Sequence, residues 1–294
     1  MGKDNKGSLD GKKIIFIGNS YTYYGNLVGR RPSTDYPTLS GRINDKENFY
    51  RLCKSKGMSI NVTNWTMGAH GLQDLLGDSC GLEKECRGQN HYANLTDRYY
   101  DYVVFQSGLR NADWSAKEFI EKINEYMQDF KNANPNVKFV LLVHSQAHIY
   151  NYDWLKGVKI LSAQGVIIVD WGKVVYDIMN GIAKVPNSKT TYNKNSFIVA
   201  KTENDGYHPN MLSGYITTLM TYCALTGDSA VGSEYNFVHD ENSNEYLRNI
   251  DLFYDRFYLV GKSNFREILR SSTEMLGIQK IIDQYLQSKP YLNY

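Results

Sequence analysis

Long apolar runs and an excess of charge of one sign are both missing from this sequence. No segment approaches the roughly 18 consecutive apolar residues of a transmembrane helix, and the polar N-terminus MGKDNKGSLDGKK lacks the apolar core of a signal peptide. Lys and Arg number 33 against 31 Asp and Glu, so the net charge of +2 gives no electrostatic reason to expect nucleic acid or an anionic membrane as a partner. We expect no membrane span. The location stays open, a protein exported after removal of its signal sequence being one alternative.

Cysteine is scarce as well. Of the four cysteines only Cys80 and Cys86 are close, in CGLEKEC, where a disulfide is geometrically feasible and two free thiols are the alternative. No second close pair exists to complete a zinc site, and His144 and His148, four residues apart, lack a third ligand. We therefore expect neither a metal nor another cofactor, and cysteine usage does not define the redox compartment.

The overall composition is that of an ordinary globular protein. With 42% hydrophobic and 22% charged residues, the chain can bury a substantial core, which excludes the disordered, collagen-like and coiled-coil classes. Its clearest bias is the presence of 24 tyrosines. Exposed tyrosines can stack on sugar rings, but tyrosine also fills cores and interfaces, so the bias alone leaves both interpretations open.

The pattern of apolar residues predicts an α/β fold. Apolar or alternating segments predict five strands, at 12–18, 58–66, 99–107, 137–145 and 165–171. Helical spacing or Gly endings predict helices at 47–57, 115–130, 172–182 and 213–227, with a short helix at the end of MGAHGLQDLL and helical patterns around 263–287. Ser115 and Glu118 have the spacing of a capping box. Such strands alternating with helices predict a three-layer α/β/α sandwich around a mostly parallel five-stranded sheet.

We expect one main domain. Residues 1–11 are a polar leader, 12–227 form the α/β domain, and 228–294 form a C-terminal helical extension packed on the same domain. The polar stretches 26–46, 77–97 and 184–204 are predicted to be an insertion and two loops.

The residues with chemistry follow the predicted strands. Ligands of parallel sheets bind beyond the carboxyl ends of the strands, and the first strand ends at Ser20, in GNSYT. Near the other end of the chain, NDGYHPN places Asp205 three residues before His208. A serine hydroxyl becomes a nucleophile when an imidazole takes its proton and a carboxylate orients that imidazole. We therefore predict Ser20, His208 and Asp205 as a catalytic triad.

An oxyanion hole would complete such a site. The backbone N–H of Ser20 is one donor, a glycine after the second strand (Gly68 or Gly71) can supply a second N–H, and the amide of Gln106 after the third strand can supply another. This set predicts acyl transfer through a tetrahedral intermediate.

These segments resemble the SGNH/GDSL hydrolase superfamily. IFIGNSYT is similar to its first block, AHGLQDLL to its second, which implies Gly71 as the backbone donor with Gly68 as the competing choice, and DGYHPN to its last. Most members have Gly-x-Asn-Asp in the third block, whereas this chain has Gln106-Ser107, with the next asparagine at Asn111. The resemblance covers roughly residues 12–227. It implies a flavodoxin-like sandwich that acts on acyl esters, including acetylated sugars and lipids, without a metal.

The predicted activity is a serine esterase for short-chain, acetyl-type esters, with carbohydrate esters as the favoured substrate class. Candidate substrate contacts are Asn19 and Tyr21 beside the nucleophile, and His144 and Trp171 after the fourth and fifth strands. Structural roles are the alternative for the last two. An acyltransferase to a sugar hydroxyl is an alternative function. A carbohydrate-binding protein that has lost its activity is a further one, motivated by the altered third block.

Overall fold

The computed structural model describes residues 8–28, 47–66, 68, 70–76, 95–198, 208–235 and 272–294. The strands in these ranges are β1 (Lys13–Gly18), β2 (Asn61–Thr66), β3 (Tyr102–Gln106), β4 (Lys138–Leu142) and β5 (Ile167–Val169). The α-helices are α1 (Ser20–Tyr23), α2 (Asn48–Ser55), α3 (Leu72–Leu76), α4 (Ala116–Ala133), α5 (Ser145–Ile149), α6 (Leu155–Ala163), α7 (Trp171–Met179), α8 (Lys194–Phe197), α9 (Met211–Thr226) and α10 (Ser272–Ser288). Short 3-10 helices span Leu109–Asn111 and Pro290–Asn293.

The five strands form one parallel sheet in the order β2-β1-β3-β4-β5. β1 lies between β2 and β3, with Ile17 in register with Trp65 on one side and Phe105 on the other. This is the flavodoxin-like strand order, and it confirms the predicted fold class. Because all strands point the same way, the segments after β1, β2 and β3 emerge together at one edge of the sheet.

Side chains from the two faces of the sheet enter two separate cores. In β1, Ile14 and Phe16 belong to one core and Ile15 and Ile17 to the other, as the two-residue period of a strand requires. The first core contains residues of α2, α7, α9 and α10, and the second contains residues of α3, α4 and α6. The molecule therefore has the predicted three layers.

The predicted helix at 115–130 is present as α4. The capping box is present: Ser115 Oγ accepts from the Glu118 N–H at 3.2 Å, and Glu118 Oε2 accepts from the Ser115 N–H at 2.9 Å. The predicted strand at 137–145 stops earlier, at Leu142, because His144 already adopts the N-cap position of α5. The predicted loop at 184–204 is interrupted by α8, which begins after Asn193 caps it.

The C-terminal helix α10 packs on the main domain. Met275, Ile278 and Ile282 are buried in the same core as α9. Cys53 and Cys223 are buried free thiols, whereas Cys80 and Cys86 lie outside the described residues. Within the described ranges, no helix combines the length and the apolar character needed to cross a membrane.

Candidate active site

Ser20 is held at the start of a single helical turn directly after β1. The Asn19 side chain accepts from the Tyr21 N–H at 3.1 Å, and the Asn19 N–H donates to Thr22 Oγ1 at 3.2 Å, which closes a capping box around α1. A Cβ on Gly18 would lie 2.1 Å from Thr22 Oγ1, so only glycine fits before this turn. Gly-Asn-Ser is thus the local requirement for ending β1 in a tight turn with Ser20 as its first residue, and 9% of the serine stays exposed.

Asn19 also ties the first loop to the next two. Its Nδ2 donates to the His70 carbonyl at 3.0 Å. A Cβ on Gly108 would lie 2.5 Å from the same Nδ2 and 3.0 Å from the His70 carbonyl oxygen. The loops after β1, β2 and β3 therefore meet at Asn19. Asn19, which the sequence predicts as a substrate contact, therefore has a structural role in joining these loops.

His208 lies over the turn that carries Ser20. Its ring centroid is 4.1 Å from that of Tyr24 and 5.8 Å from that of Tyr21, and the residue is half-buried. No hydrogen bond joins the Ser20 hydroxyl to another described residue; catalytic hydrogen bonds are often long before substrate binds. Asp205 lies outside the described residues. Ser20 and His208, 188 positions apart in the sequence, are brought to the same side of the molecule.

Two features that the sequence reasoning missed bring the His208 segment to this place. A Cβ on Gly214, in the first turn of α9, would lie 1.6 Å from the Gly25 carbonyl oxygen, so these backbones touch just after α1. Asn210 caps α9 by accepting from the Leu212 and Ser213 N–H groups. Asparagine two residues after His208 is an N-cap signal that could have been recognised in the sequence. The Gly25–Gly214 contact joins segments far apart in the chain, so no local sequence pattern predicts it.

The predicted oxyanion donors have partners of their own. The Gly71 N–H donates to Asp74 Oδ2 at 2.8 Å. The Gln106 side chain is fully buried, and its Nε2 donates to the carbonyls of Ser107 at 3.0 Å and Leu142 at 3.1 Å. Either group would have to leave these acceptors to reach a substrate oxygen.

The alternative oxyanion donors, Gly68 and Asn111, have different surroundings. A Cβ on Gly68 would lie 2.5 Å from the Tyr23 hydroxyl oxygen, so Gly68 lies against α1. Asn111 is fully buried; its Oδ1 accepts from the N–H groups of Gly108 at 3.0 Å and Leu72 at 3.2 Å, and its Nδ2 donates to Gln73 Oε1 at 2.6 Å. Asn111 thus clamps the third loop to the beginning of α3. Gly68 therefore lies beside the tip of a side chain of α1, whereas Asn111 has its hydrogen-bonding atoms engaged.

His144 packs against the turn that carries Ser20. Its ring stacks on Tyr21, with centroids 4.4 Å apart and planes at 7°. Burial, with the nearby His148, lowers the pKa of His144 to about 3, so the imidazole is neutral at physiological pH. Neither ring nitrogen has a hydrogen-bond partner among the described residues. His144 is fully buried, so its contact with the turn of Ser20 is the stack on Tyr21.

Trp171 and His148 are engaged elsewhere. Trp171 is fully buried, and its Nε1 donates to Gln106 Oε1 at 3.4 Å, which adds to the contacts that hold Gln106. His148 Nε2 lies 2.8 Å from Asp170 Oδ1. In the part of the chain that the structure describes, no three His, Cys, Asp or Glu side chains are grouped as metal ligands.

The chain is similar to several solved structures, although no family model and no curated protein matches the sequence. A DUF4886 family protein from Bacteroides uniformis is 13% identical, with a TM-score of 0.51 over 95% of this chain and 96% of that chain. A carbohydrate esterase family 3 protein from Talaromyces cellulolyticus is 14% identical (TM-score 0.44, 70% of this chain and 92% of that chain). The periplasmic domain of a Salmonella lipopolysaccharide acetyltransferase is 12% identical (TM-score 0.42, 71% and 81%). At such identities the first likeness is one of fold, and it confirms the predicted sandwich.

Proposed function

We propose that this chain is a serine esterase of the SGNH/GDSL type that hydrolyses short-chain, acetyl-type esters of carbohydrates. The observation that carries the proposal is the approach of His208 to the turn bearing Ser20, through ring contacts with Tyr24 and Tyr21. A serine directly after a parallel strand needs a nearby imidazole as base for acyl transfer, and the ring contacts bring His208 beside the same turn.

The reaction has two halves. His208 takes the proton of the Ser20 hydroxyl while the serine oxygen attacks the ester carbonyl, and Asp205 orients the imidazole. The tetrahedral intermediate collapses to an acyl-serine when the C–O bond to the alcohol breaks, and His208 gives its proton to the departing alcohol. Water then attacks the acyl-serine with His208 again as base, which releases the carboxylic acid and restores Ser20.

The negative oxygen of each tetrahedral intermediate needs donors. We assign the backbone N–H of Ser20 and that of Gly68, because the Gly71 N–H is held by Asp74 whereas Gly68 lies beside the Tyr23 hydroxyl, at the tip of an α1 side chain. Gln106 and Asn111 remain the candidates for a side-chain donor, and Gln106 would have to exchange its bond to the Ser107 carbonyl for one to substrate.

Replacement of Ser20 tests the proposal. Ser20→Ala should lower kcat/KM for para-nitrophenyl acetate by at least roughly a thousandfold, because the nucleophile is lost while binding remains. The matched control is Ser55→Ala, an exposed serine near the end of α2 whose hydroxyl donates to the Leu52 carbonyl. The melting temperature checks that both variants stay folded.

Covalent labelling gives an independent measurement. A fluorophosphonate probe should modify the native protein and the Ser55→Ala variant but not Ser20→Ala. Retention of esterase activity by Ser20→Ala would overturn the proposal. Addition of a sugar acceptor separates hydrolysis from acyl transfer, since free acid and acylated sugar are different products.

A further inference from the structure

Two tyrosines stand together on an exposed turn after α5. Tyr150 is 53% exposed, its ring centroid is 6.2 Å from that of Tyr152, and the two planes differ by only 16°. Asn151 between them has φ of 49°, a left-handed conformation that asparagine tolerates better than most residues. The turn therefore presents two nearly parallel aromatic rings side by side.

The turn is anchored at both ends. The Tyr150 N–H donates to the Gln146 carbonyl at 3.0 Å, and the Tyr152 N–H donates to the Ala147 carbonyl at 2.9 Å. Asp153 Oδ2 accepts from the Ala116 N–H at 3.0 Å, which fastens the turn to the start of α4. The backbone that carries the two rings is held before any ligand arrives, so little backbone entropy is lost when one binds.

A continuous row of rings connects this turn to the proposed active site. Tyr152 lies 6.1 Å from His144, His144 lies 4.4 Å from Tyr21, and Tyr21 lies 5.8 Å from His208, measured between ring centroids. The turn follows β4, so it emerges at the same edge of the sheet as Ser20. Tyr150, at one end of the row, is exposed, and the other end is the proposed general base. The rings of Tyr21 and His144 between them are buried, so the row relates the positions of its two ends and is not itself a ligand surface.

We propose that Tyr150 and Tyr152 bind a sugar ring of the ester substrate, which deepens and rests on the proposed esterase function. A sugar offers an apolar face of C–H groups for an aromatic ring and hydroxyls for the polar rim, which suits tyrosine, apolar in its body and polar at its tip. The neighbouring charges cancel, since Asp153 Oδ1 pairs with Lys156 Nζ at 2.6 Å. A neutral ligand with both apolar and hydroxyl surface therefore fits this pair best.

The chain offers a matched control for the test. Tyr99 is 51% exposed, almost the same as Tyr150, but it precedes β3 and so lies toward the opposite edge of the sheet. We compare Tyr150→Ala, Tyr150→Phe and Tyr99→Ala on acetylated xylo-oligosaccharides and on para-nitrophenyl acetate, which has no sugar. Tyr150→Ala should raise KM for the sugar ester relative to KM for the aryl ester by roughly three- to tenfold. Tyr150→Phe keeps the ring and should change this ratio little, and Tyr99→Ala should not change it.

Two results would overturn the sugar platform. One is an unchanged ratio in Tyr150→Ala. The other is a loss confined to aryl esters of longer acyl chains, which would make the pair an acyl-chain site.

Failure of the esterase assignment is distinguishable from failure of the platform. Calorimetric titration of Ser20→Ala and of Ser20→Ala/Tyr150→Ala with the same oligosaccharides measures binding without turnover. The second variant should bind several-fold more weakly, whatever the role of Ser20. Equal affinity of the two variants would overturn the platform.

Discussion

The loops after β1, β2 and β3 and the surroundings of β5 are both held by hydrogen bonds of buried side chains, but the side-chain chemistry differs. In the first region the side-chain amides of Asn19 and Asn111 join three loops to one another. In the second, Asp170 accepts from the Tyr294 hydroxyl and Asp177 from the Tyr285 hydroxyl, which join α7 to the C-terminal segment. Burial, with these carboxylates nearby, raises the pKa of both tyrosines.

We infer that the two networks have different tasks: the amide network shapes the proposed site, and the carboxylate network stabilises the fold. The amide network lies within one or two residues of Ser20 and of the candidate oxyanion donors, so a change there moves reacting groups. The carboxylate network lies beside β5, the outermost strand on the side of the sheet away from β2. A change there weakens the packing of α7 against the C-terminal segment. The first region should therefore control kcat, and the second should control the free energy of unfolding.

Asp170→Asn should give the largest change in stability. Asp170 is 3% exposed and accepts from His148 Nε2, the Lys173 N–H and the Tyr294 hydroxyl. Asparagine keeps one acceptor oxygen but puts an NH₂ donor where Oδ2 accepts from the Tyr294 hydroxyl, and it removes the buried charge that the other donors stabilise. We expect the free energy of unfolding to fall by roughly 3 kcal/mol. Urea denaturation measures this loss, and kcat of the folded variant should stay within about twofold of the native value.

Asp153→Asn is its control. Like Asp170, Asp153 accepts from a backbone N–H, and in addition it pairs with Lys156. Its side chain is 50% exposed, so water replaces the lost contacts. Equal stability losses in the two variants would contradict the division between the regions.

Asn111→Ala should show the opposite balance. It leaves the N–H groups of Gly108 and Leu72 without their acceptor, which costs roughly 1–3 kcal/mol, and it frees the third loop from α3. Because small displacements of reacting groups cost rate, we expect kcat to fall by roughly ten- to a hundredfold. Steady-state kinetics on para-nitrophenyl acetate measure this, and Asn111→Asp, which keeps the acceptor oxygen, should recover most of the loss.

Asn134→Ala is the matched control for that variant. Asn134 is also buried and ties two segments together, donating to the Tyr100 carbonyl at 2.7 Å, but it lies at the opposite edge of the sheet. It should lose similar stability with unchanged kcat. A similar loss of kcat in both variants would mean that Asn111 acts only through global stability.

His144→Phe should give the smallest effect at neutral pH and sharpen the comparison at acidic pH. The folded protein holds the pKa of His144 at about 3, below the 6.5 of an ordinary histidine. Between these values the unfolded chain binds a proton that the folded protein does not. The stability contribution is thus complete above pH 6.5 and is lost as the pH falls toward 3, by about 1.4 kcal/mol per unit.

Phenylalanine can still stack on Tyr21 but cannot titrate. The stability difference between the native protein and His144→Phe, from urea denaturation at several pH values, should therefore shift in favour of the variant as the pH falls from 6 to 4. A difference independent of pH would show that His144 is not held neutral. The rings that face His144 are those of Tyr21, Tyr152 and Trp154, and His148 is the nearby titratable group.

Much of the fold could be read from local signals. Apolar strands, the Ser115–Glu118 capping box and the Gly227 helix end are nearest-neighbour features, so they are visible along the chain. The candidate nucleophile and base were visible for the same reason: Gly-Asn-Ser is a turn that ends a strand, and Asp-Gly-Tyr-His-Pro-Asn precedes a helix. Partners across the sheet are not visible along the chain. The sequence predicts Asn111 as an alternative oxyanion donor, and nothing local reveals its contacts with Gln73 and Leu72.

The sequence by itself determined the order and kind of the elements, the edge of the sheet where chemistry belongs, and Ser20 and His208 as the residues to test. These follow from periodicity and turn chemistry, which act over a few residues. Only the tertiary structure decided that Gly25 and Gly214 touch, that Gly71 and Gln106 already have hydrogen-bond partners, and that Tyr150 connects by a row of rings to His208. Each of these depends on segments far apart in the chain, whose meeting is determined by how the two cores pack against the sheet.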